Sequence, residues 1–475
     1  MRNLSMMTDM YQLTMMYGYF RHGIGENRAV FDLFYRQAGE EVAYAIAAGL
    51  EQAIEYIQNL RFDDNDIAYL RTVCSFADDF LEYLQALRFT GDLYAVPEGT
   101  LVFPNEPILK VKAPLIQAQL LETALLNIIN HQTLIATKAS RVVQAADGDS
   151  VLEFGLRRAQ GPDAGILGAR AAVIGGCDAT SNVLAGELYG IPVRGTHAHS
   201  WVMSFPSEVD AFRAYAAVFP DDCLLLVDTY DTLRSGVPNA ITVFQELKAA
   251  GHRPVGIRLD SGDMAYLSRK SREMLDAAGF QDVGICASSD LDEEVIWQLK
   301  AQGAQVNVWG VGTRMITSQS MPALGGVYKL VAEEINGQFI PRIKISENPA
   351  KVTNPGDKKL YRIYENRTGL AVADLIALVD ERYDDPSKPL LLFDPENTWK
   401  QMVVTDYSIR PLLKPIFSGG TLVYTSPSIG AIRDYARSEL TTLWPEYKRL
   451  HKPHYYKVDL SRPLWELKQS MLLQR

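Results

Sequence analysis

Residues 223–228 read Cys-Leu-Leu-Leu-Val-Asp, five apolar side chains in a row and then a carboxylate. Comparable short apolar runs occupy 151–154, 192–195, 255–259, 283–287 and 306–311. A run without a solvated face suits a strand covered on both sides, the usual condition of strands in a parallel sheet. Between the runs lie stretches with helical spacing, at 166–174, 181–189, 208–218, 240–250, 264–278 and 293–302. Strand and helix thus alternate with a repeat of roughly 30 residues, the length of a right-handed βαβ unit. The class read from this pattern is α/β, with a parallel barrel or an open parallel sheet.

The flanks do not share the rhythm. Residues 1–132 mix strand-like runs (29–35, 100–111) with helical stretches (47–59, 116–130) and are expected to form an N-terminal α/β domain. Residues 133–330 are expected to hold the barrel and its active site. Residues 331–475, with a Pro/Gly/Lys-rich loop at 348–359 and an aromatic, basic end, are expected to be a C-terminal flanking region packed on the barrel.

Of the 475 residues, 47% are hydrophobic and 22% charged, the profile of a globular chain long enough for more than one domain. A formal net charge of −10 speaks against nucleic acid or an anionic membrane as partner, because both need a cationic surface. An anionic substrate must then be met by locally placed cations. Cys74, Cys177, Cys223 and Cys286 are widely spaced and show neither a disulfide framework nor a thiolate zinc pattern, so they read as thiols of a reducing compartment. Residues 1–16 contain Arg2, Asp9 and Gln12, unlike a signal peptide. The longest apolar region, 113–129, is broken by Gln117, Gln119, Glu122 and Asn127, unlike a membrane span. A cytoplasmic location is the expectation.

Strands that close into a barrel bring their C-terminal ends to one face, where active sites are built. The residues at those ends become neighbours: Arg157 and Arg158; Thr196, His199 and Ser200; Asp228; Arg258, Asp260, Ser261 and Asp263; Ser288 and Ser289; Gly310, Gly312 and Thr313. Cations, carboxylates, hydroxyls and glycines on one rim suit a phosphorylated sugar. Gly310 and Gly312 let backbone N–H groups approach phosphate oxygens. Arg157 and Arg158 side by side repel each other unless an anion sits there. No Gly-x-x-x-x-Gly-Lys-Ser/Thr stretch occurs, which excludes a P-loop. Arg258 and Asp260 stand two apart and share a strand face, either as a local ion pair or as grips on an anion and on magnesium or ribose hydroxyls.

His197-Ala198-His199 is the one close histidine pair among seven. Three readings are open. Paired metal ligands need further ligands from later strands, yet the later histidines are His252, in a turn on the opposite face, and His451 and His454 near the end. Packing or capping is the second reading. The third is catalysis, since a carboxylate such as Asp228 raises the basicity of a neighbouring imidazole and fixes its tautomer, leaving the other nitrogen to act as nucleophile or proton acceptor.

These motifs carry a resemblance. Glu153-Phe154-Gly155-Leu156-Arg157-Arg158-Ala159-Gln160-Gly161-Pro162-Asp163, Gly176-Cys177-Asp178, Gly195-Thr196-His197-Ala198-His199-Ser200, Leu226-Val227-Asp228-Thr229-Tyr230 and Arg258-Leu259-Asp260-Ser261-Gly262-Asp263 closely resemble the nicotinate phosphoribosyltransferase family. Thr8-Asp9-Met10-Tyr11-Gln12 and Gly325-Gly326-Val327-Tyr328-Lys329-Leu330 extend the likeness over most of the chain, in order. The resemblance implies an irregular α/β barrel of the type II phosphoribosyltransferase kind, with active sites shared across a homodimer. It implies transfer of nicotinate to 5-phosphoribosyl 1-pyrophosphate, with magnesium as cofactor and ATP hydrolysed through a phosphohistidine. By motif position, His199 is implied as the phosphorylated residue, with Asp228 and Asp260 beside ribose, magnesium or His199. Arg157, Thr196, Ser200, Arg258 and the partner subunit's Tyr11 are implied as nicotinate contacts, and Gly310, Gly312 and Thr313 as the grip on the sugar phosphate. His197 fills the variable position of its motif, and Asp178 stands where nicotinamide-using relatives carry an acid.

Overall fold

The computed structural model describes residues 3–36, 42–383, 385 and 387–474. The chain forms two compact units, Ile135–Pro322 by itself and Met1–Leu134 together with Ala323–Arg475. The stretches on either side of the barrel segment therefore fold with each other, because they share a sheet. Gly326–Ile335 lies antiparallel to Arg28–Tyr35, which pairs on its other edge with Leu109–Pro114. This sheet has seven strands, ending in Lys414–Ser418 and Thr421–Leu422 from the C-terminal part. A second sheet of the same unit, with four strands, surrounds the fully buried Arg362, whose guanidinium meets Asp374 at 2.7 Å and Glu439 at 3.0 Å. Among the described residues no helix is long and apolar enough to cross a membrane.

In the unit Ile135–Pro322, six strands are all parallel: β1 (Ser150–Glu153), β2 (Ala179–Thr180), β3 (Leu224–Leu226), β4 (Gly256–Leu259), β5 (Gly284–Ser289) and β6 (Val308–Val311). Their order across the sheet is β2-β1-β6-β5-β4-β3. The helices α1 (Pro162–Ile174), α2 (Val183–Tyr189), α3 (His199–Met203), α4 (Glu208–Val218), α5 (Val237–Ala249), α6 (Met264–Ala277), α7 (Glu293–Ala301) and α8 (Thr313–Ile316) complete the βα alternation. Ser207, Asp263 and Asp292 cap α4, α6 and α7, each side chain accepting an N–H of the first turn. Such caps contribute about 1 kcal/mol each.

Strand alternation divides the side chains. Val151, Leu225, Ile257, Ile285 and Trp309 are almost fully buried on one side, and Trp309 satisfies its Nε1–H on Asp149 at 3.0 Å. The alternate positions Leu152, Leu224, Arg258, Cys286 and Val308 line a cavity of about 820 Å³. The cavity-facing set admits the charged Arg258, whereas the buried Glu153 of β1, which does not line the cavity, is met by the Thr180 hydroxyl.

The two edges of the sheet, β2 and β3, are joined through residues 192–197. Thr180 N–H donates to Pro192 O (3.1 Å) and Arg194 N–H to Thr180 O (2.9 Å), a single parallel bridge at Val193. The strand expected over 192–195 goes no further, since Pro192 has no N–H and Gly195 no side chain to pack. Toward β3, side chains replace the backbone ladder. The Thr196 hydroxyl donates to Leu224 O (2.5 Å), and Leu226 N–H donates to His197 Nε2 (3.3 Å). These bonds occupy edge groups of β3 and make the barrel irregular.

Burial pushes the His197 imidazole down to about 4, helped by the charge of Arg258, so the ring is neutral and can accept the Leu226 proton. The unfolded ring takes a proton near its ordinary 6.5, the folded one only near 4, so between these values the unfolded chain holds the extra proton. The contribution of the neutral ring to stability is complete above pH 6.5 and drains away as the pH falls toward 4. The full effect is worth roughly 3 kcal/mol. Denaturant titrations of wild type and His197→Gln at pH 7.5 and 4.2 should show wild type losing about 2–3 kcal/mol more than the variant, and equal losses would contradict the assignment.

Candidate active site

The site grows from the start of α3. Ala198 is its N-cap, in extended conformation, and His199 its first residue. His199 Nε2 lies 3.1 Å from Asp228 Oδ1, just past β3. The Asp228 side chain is only 2% exposed, and its other oxygen accepts Asp260 N–H (2.8 Å) and the Ser261 hydroxyl (2.6 Å). A carboxylate held by two further donors fixes the imidazole it faces. With Nε2 committed, Nδ1 of His199 has no protein partner among the described residues, on a side chain 39% exposed. The two histidines have separate partners, His197 on Leu226 and His199 on Asp228. Among the described residues no group of three or more His, Cys, Asp or Glu side chains is placed to hold a metal ion.

Arg258 and Asp260 do form the ion pair their spacing allows, at 2.9 Å. Arg258 Nε also donates to Ser288 (2.7 Å), and Ser288 donates to Asp260 (2.5 Å). Burial disfavours the charge of Asp260, but the bonds from Ser288 and Arg258 outweigh it and hold the carboxyl below its usual range. Arg258 keeps its Nη1 without a protein partner among the described residues and faces the cavity. Its guanidinium carbon stands 5.9 Å from the centroid of the Phe154 ring. Phe154, unassigned by sequence reasoning, lines the same cavity. Space for it is made by a glycine: a methyl group at Gly310 would stand 2.7 Å from the ring. An aromatic face below a cation is a seat for a flat anionic ring. Cys286 also lines the cavity, but burial pushes its thiol up to about 11, so it is no nucleophile at neutral pH.

Thr196 lines the cavity, although its proton is spent on Leu224. Gly312 and Thr313 lie at the end of β6 and the start of α8, and a side chain at Gly312 would come within 3.1 Å of Phe154 O. The glycines thus differ in task, Gly310 admitting a ring and Gly312 a backbone. Arg157 sits on an exposed turn, Leu156–Arg158, and Ser200 on the exposed side of α3; neither lines the cavity. The turn is anchored by Glu153, which is buried and accepts from Gly155 N–H and from the Thr180 hydroxyl (2.6 Å). Asp263 is used as the cap of α6. Asp178 accepts the Ser150 hydroxyl at 2.8 Å, at the opposite end of β1 from Phe154. Tyr11 belongs to the other unit, on the helix Met10–Arg21, about half exposed.

Comparison with known proteins matches this geometry to a family. The model of the nicotinate phosphoribosyltransferase N-terminal domain matches residues 6–130, that of the nicotinate phosphoribosyltransferase family residues 150–374, and that of its C-terminal domain residues 357–468. The chain is 52% identical over 472 residues to the nicotinate phosphoribosyltransferase of Bacillus subtilis (strain 168), covering 99% of this chain and 95% of that protein. The crystal structure of human nicotinic acid phosphoribosyltransferase is similar with a TM-score of 0.86 and 35% identity, covering 98% of this chain and 99% of that one. A nicotinate-nucleotide pyrophosphorylase from Pyrococcus furiosus, 23% identical, shares the fold with a TM-score of 0.70 over 93% of this chain and 96% of that one. With three family models and a relative aligned to 99% of its length, the chain belongs to the nicotinate phosphoribosyltransferase family of enzymes.

Proposed function

We propose that this chain joins nicotinate to C1 of 5-phosphoribosyl 1-pyrophosphate, giving nicotinate mononucleotide and pyrophosphate, the first step in salvaging nicotinate into NAD, with ATP hydrolysis coupled through phosphorylated His199. The observation that carries it is the combination of a cavity holding Phe154 beneath Arg258 with a histidine whose Nε2 is committed to a buried carboxylate.

Nicotinate stacks on Phe154 and gives its carboxylate to Arg258, with Thr196 beside it. The ring nitrogen attacks C1 as the bond from C1 to the pyrophosphate oxygen breaks, and the bonding pair leaves with pyrophosphate. No general base is needed, because the nitrogen lone pair is free. Positive charge develops at C1, and Asp260, held ionised, offsets it. Gly312 and Thr313 hold the sugar phosphate through backbone N–H groups and the Thr313 hydroxyl. Arg157, Ser200 and a second copy's Tyr11 complete the nicotinate contacts by motif likeness, so the working form is a homodimer.

The residues present fit a magnesium ion that rides on the pyrophosphate. Magnesium keeps several waters and takes one or two carboxylates plus phosphate oxygens. Asp260 Oδ2 has no protein partner among the described residues, so Asp260 is the residue that would hold the ion, which would neutralise charge on the leaving pyrophosphate. In the coupled step, His199 Nδ1 attacks the terminal phosphorus of ATP and ADP departs, while Asp228 keeps the proton on Nε2.

Three measurements test this reading. With phosphoribosyl pyrophosphate, magnesium and ATP, the purified protein should consume nicotinate in preference to nicotinamide; the reverse order would overturn the choice of substrate. Arg258→Ala should raise KM for nicotinate by roughly 10- to 100-fold, the scale of one lost charged hydrogen-bond partner, whereas an unchanged KM would remove Arg258 from the carboxylate. Labelled ATP should leave an acid-labile, base-stable phosphate whose ³¹P resonance identifies the Nδ1 isomer. His199→Ala should lose both label and ATP stimulation while keeping slow uncoupled transfer; label persisting in that variant would exclude His199.

A further inference from the structure

We propose that His197 is a positioning residue for the phosphoryl-accepting step, setting the distance between His199 and Asp228 by tying the start of α3 to β3. The inference rests on the phosphohistidine reading above and adds a residue to it. The ring makes two bonds, Nδ1 to Ala198 O at 3.4 Å and Nε2 to Leu226 N–H at 3.3 Å. A carbonyl accepts and an N–H donates, so both bonds exist together only for the neutral ring with its proton on Nδ1. Ala198 immediately precedes His199, and Leu226 stands two residues before Asp228. The imidazole is therefore a short strut between the backbones that carry the two members of the pair.

Its surroundings hold it in that role. The side chain is packed edge-on against Tyr215, centroids 4.8 Å apart, and near Phe212 at 6.3 Å, both on α4. Arg258 and His199 are the charged or titratable groups whose proximity disfavours a proton on it. Thr196 also laces onto β3, but at Leu224, two residues further from Asp228. With both ring nitrogens engaged in the protein, His197 acts through His199 rather than on the substrate.

The test uses the full-length chain with two substitutions. The side chain of His197→Gln is long enough to put an amide oxygen where Nε2 stands, whereas that of His197→Asn reaches only the Nδ1 position. Rates with and without ATP are measured beside the thermal midpoint and the ¹⁵N resonances of His199 in histidine-labelled protein. His197→Asn should lower the ATP-supported rate by about 100-fold, the cost of misplacing a reacting group by about 1 Å, and the ATP-free rate far less. It should also lose the Asp228-bonded signature of His199 Nε2, and His197→Gln should restore both. Unchanged ATP stimulation and His199 resonances in His197→Asn would overturn the proposal. So would a parallel fall of both rates with the thermal midpoint in the two variants, since that marks support of the fold alone. If wild type shows no ATP stimulation, the phosphohistidine reading fails, while the His199 resonances still decide whether His197 positions the ring.

Discussion

Two side-chain hydrogen bonds, Thr196 to Leu224 and Leu226 to His197, carry the closure on which the rest of the catalytic unit depends. A parallel sheet of six strands has two edges, and an edge strand exposes backbone donors and acceptors that must be satisfied somewhere. An ordinary barrel closes with one more ladder. Here the segment that would supply it begins with Pro192 and gives a single bridge to Thr180, so the other side must be closed by groups that reach. A threonine hydroxyl supplies the donor for Leu224 O and a neutral imidazole the acceptor for Leu226 N–H. The same few residues continue into Ala198 and His199, so closure and placement of His199 are one structural event.

The cavity inside this ring is electrostatically economical. Arg258 is 16% exposed, and a guanidinium so covered is tolerated only with a partner. Asp260 is that partner, steadied by Ser288. Both bonds fall on Oδ1, so the second oxygen of Asp260 remains open toward a cation. In the proposed reaction Asp260 would hold a magnesium ion through that oxygen, while Arg258 meets the nicotinate carboxylate. The overall charge of −10 is no obstacle, because binding is decided by the groups that line a low-dielectric space rather than by the surface sum.

The βα order was legible because its cause is local. Apolar runs and helical spacing placed β3, β4, β5 and β6 and the helices α4, α6 and α7 to within a few residues of their observed bounds. The two-residue strand β2 left no such mark, being too short to show a period. The shared sheet of the chain's flanks was also invisible, since pairing Gly326–Ile335 with Arg28–Tyr35 is a contact between residues some three hundred apart. At the site, the likeness to a family named His199, Asp228, Arg258 and Asp260, and the geometry joins them by hydrogen bonds. Asp263 carried the same sequence signal as Asp260, yet a helix start claims it. Phe154 was missed because an aromatic residue at the end of an apolar run looks like core; the clue was Gly310 on the neighbouring strand, whose missing side chain leaves room for the ring.

The partners of Asp228 also define what it can do. Asp228 already accepts from His199, the Asp260 backbone and the Ser261 hydroxyl, so its lone pairs are committed on both oxygens. Its effect is to hold the tautomer with hydrogen on Nε2, which leaves the Nδ1 lone pair free to attack without any prior proton loss. In the proposed coupled step, phosphorus bound at Nδ1 would make the ring formally an imidazolium, and the same carboxylate would stabilise that positive charge. A buried, three-donor aspartate thus serves ground state and product through one fixed geometry. Its alignment with His199 is set by the strut at His197, so the histidine next in sequence but one from the nucleophile governs how well that geometry is kept.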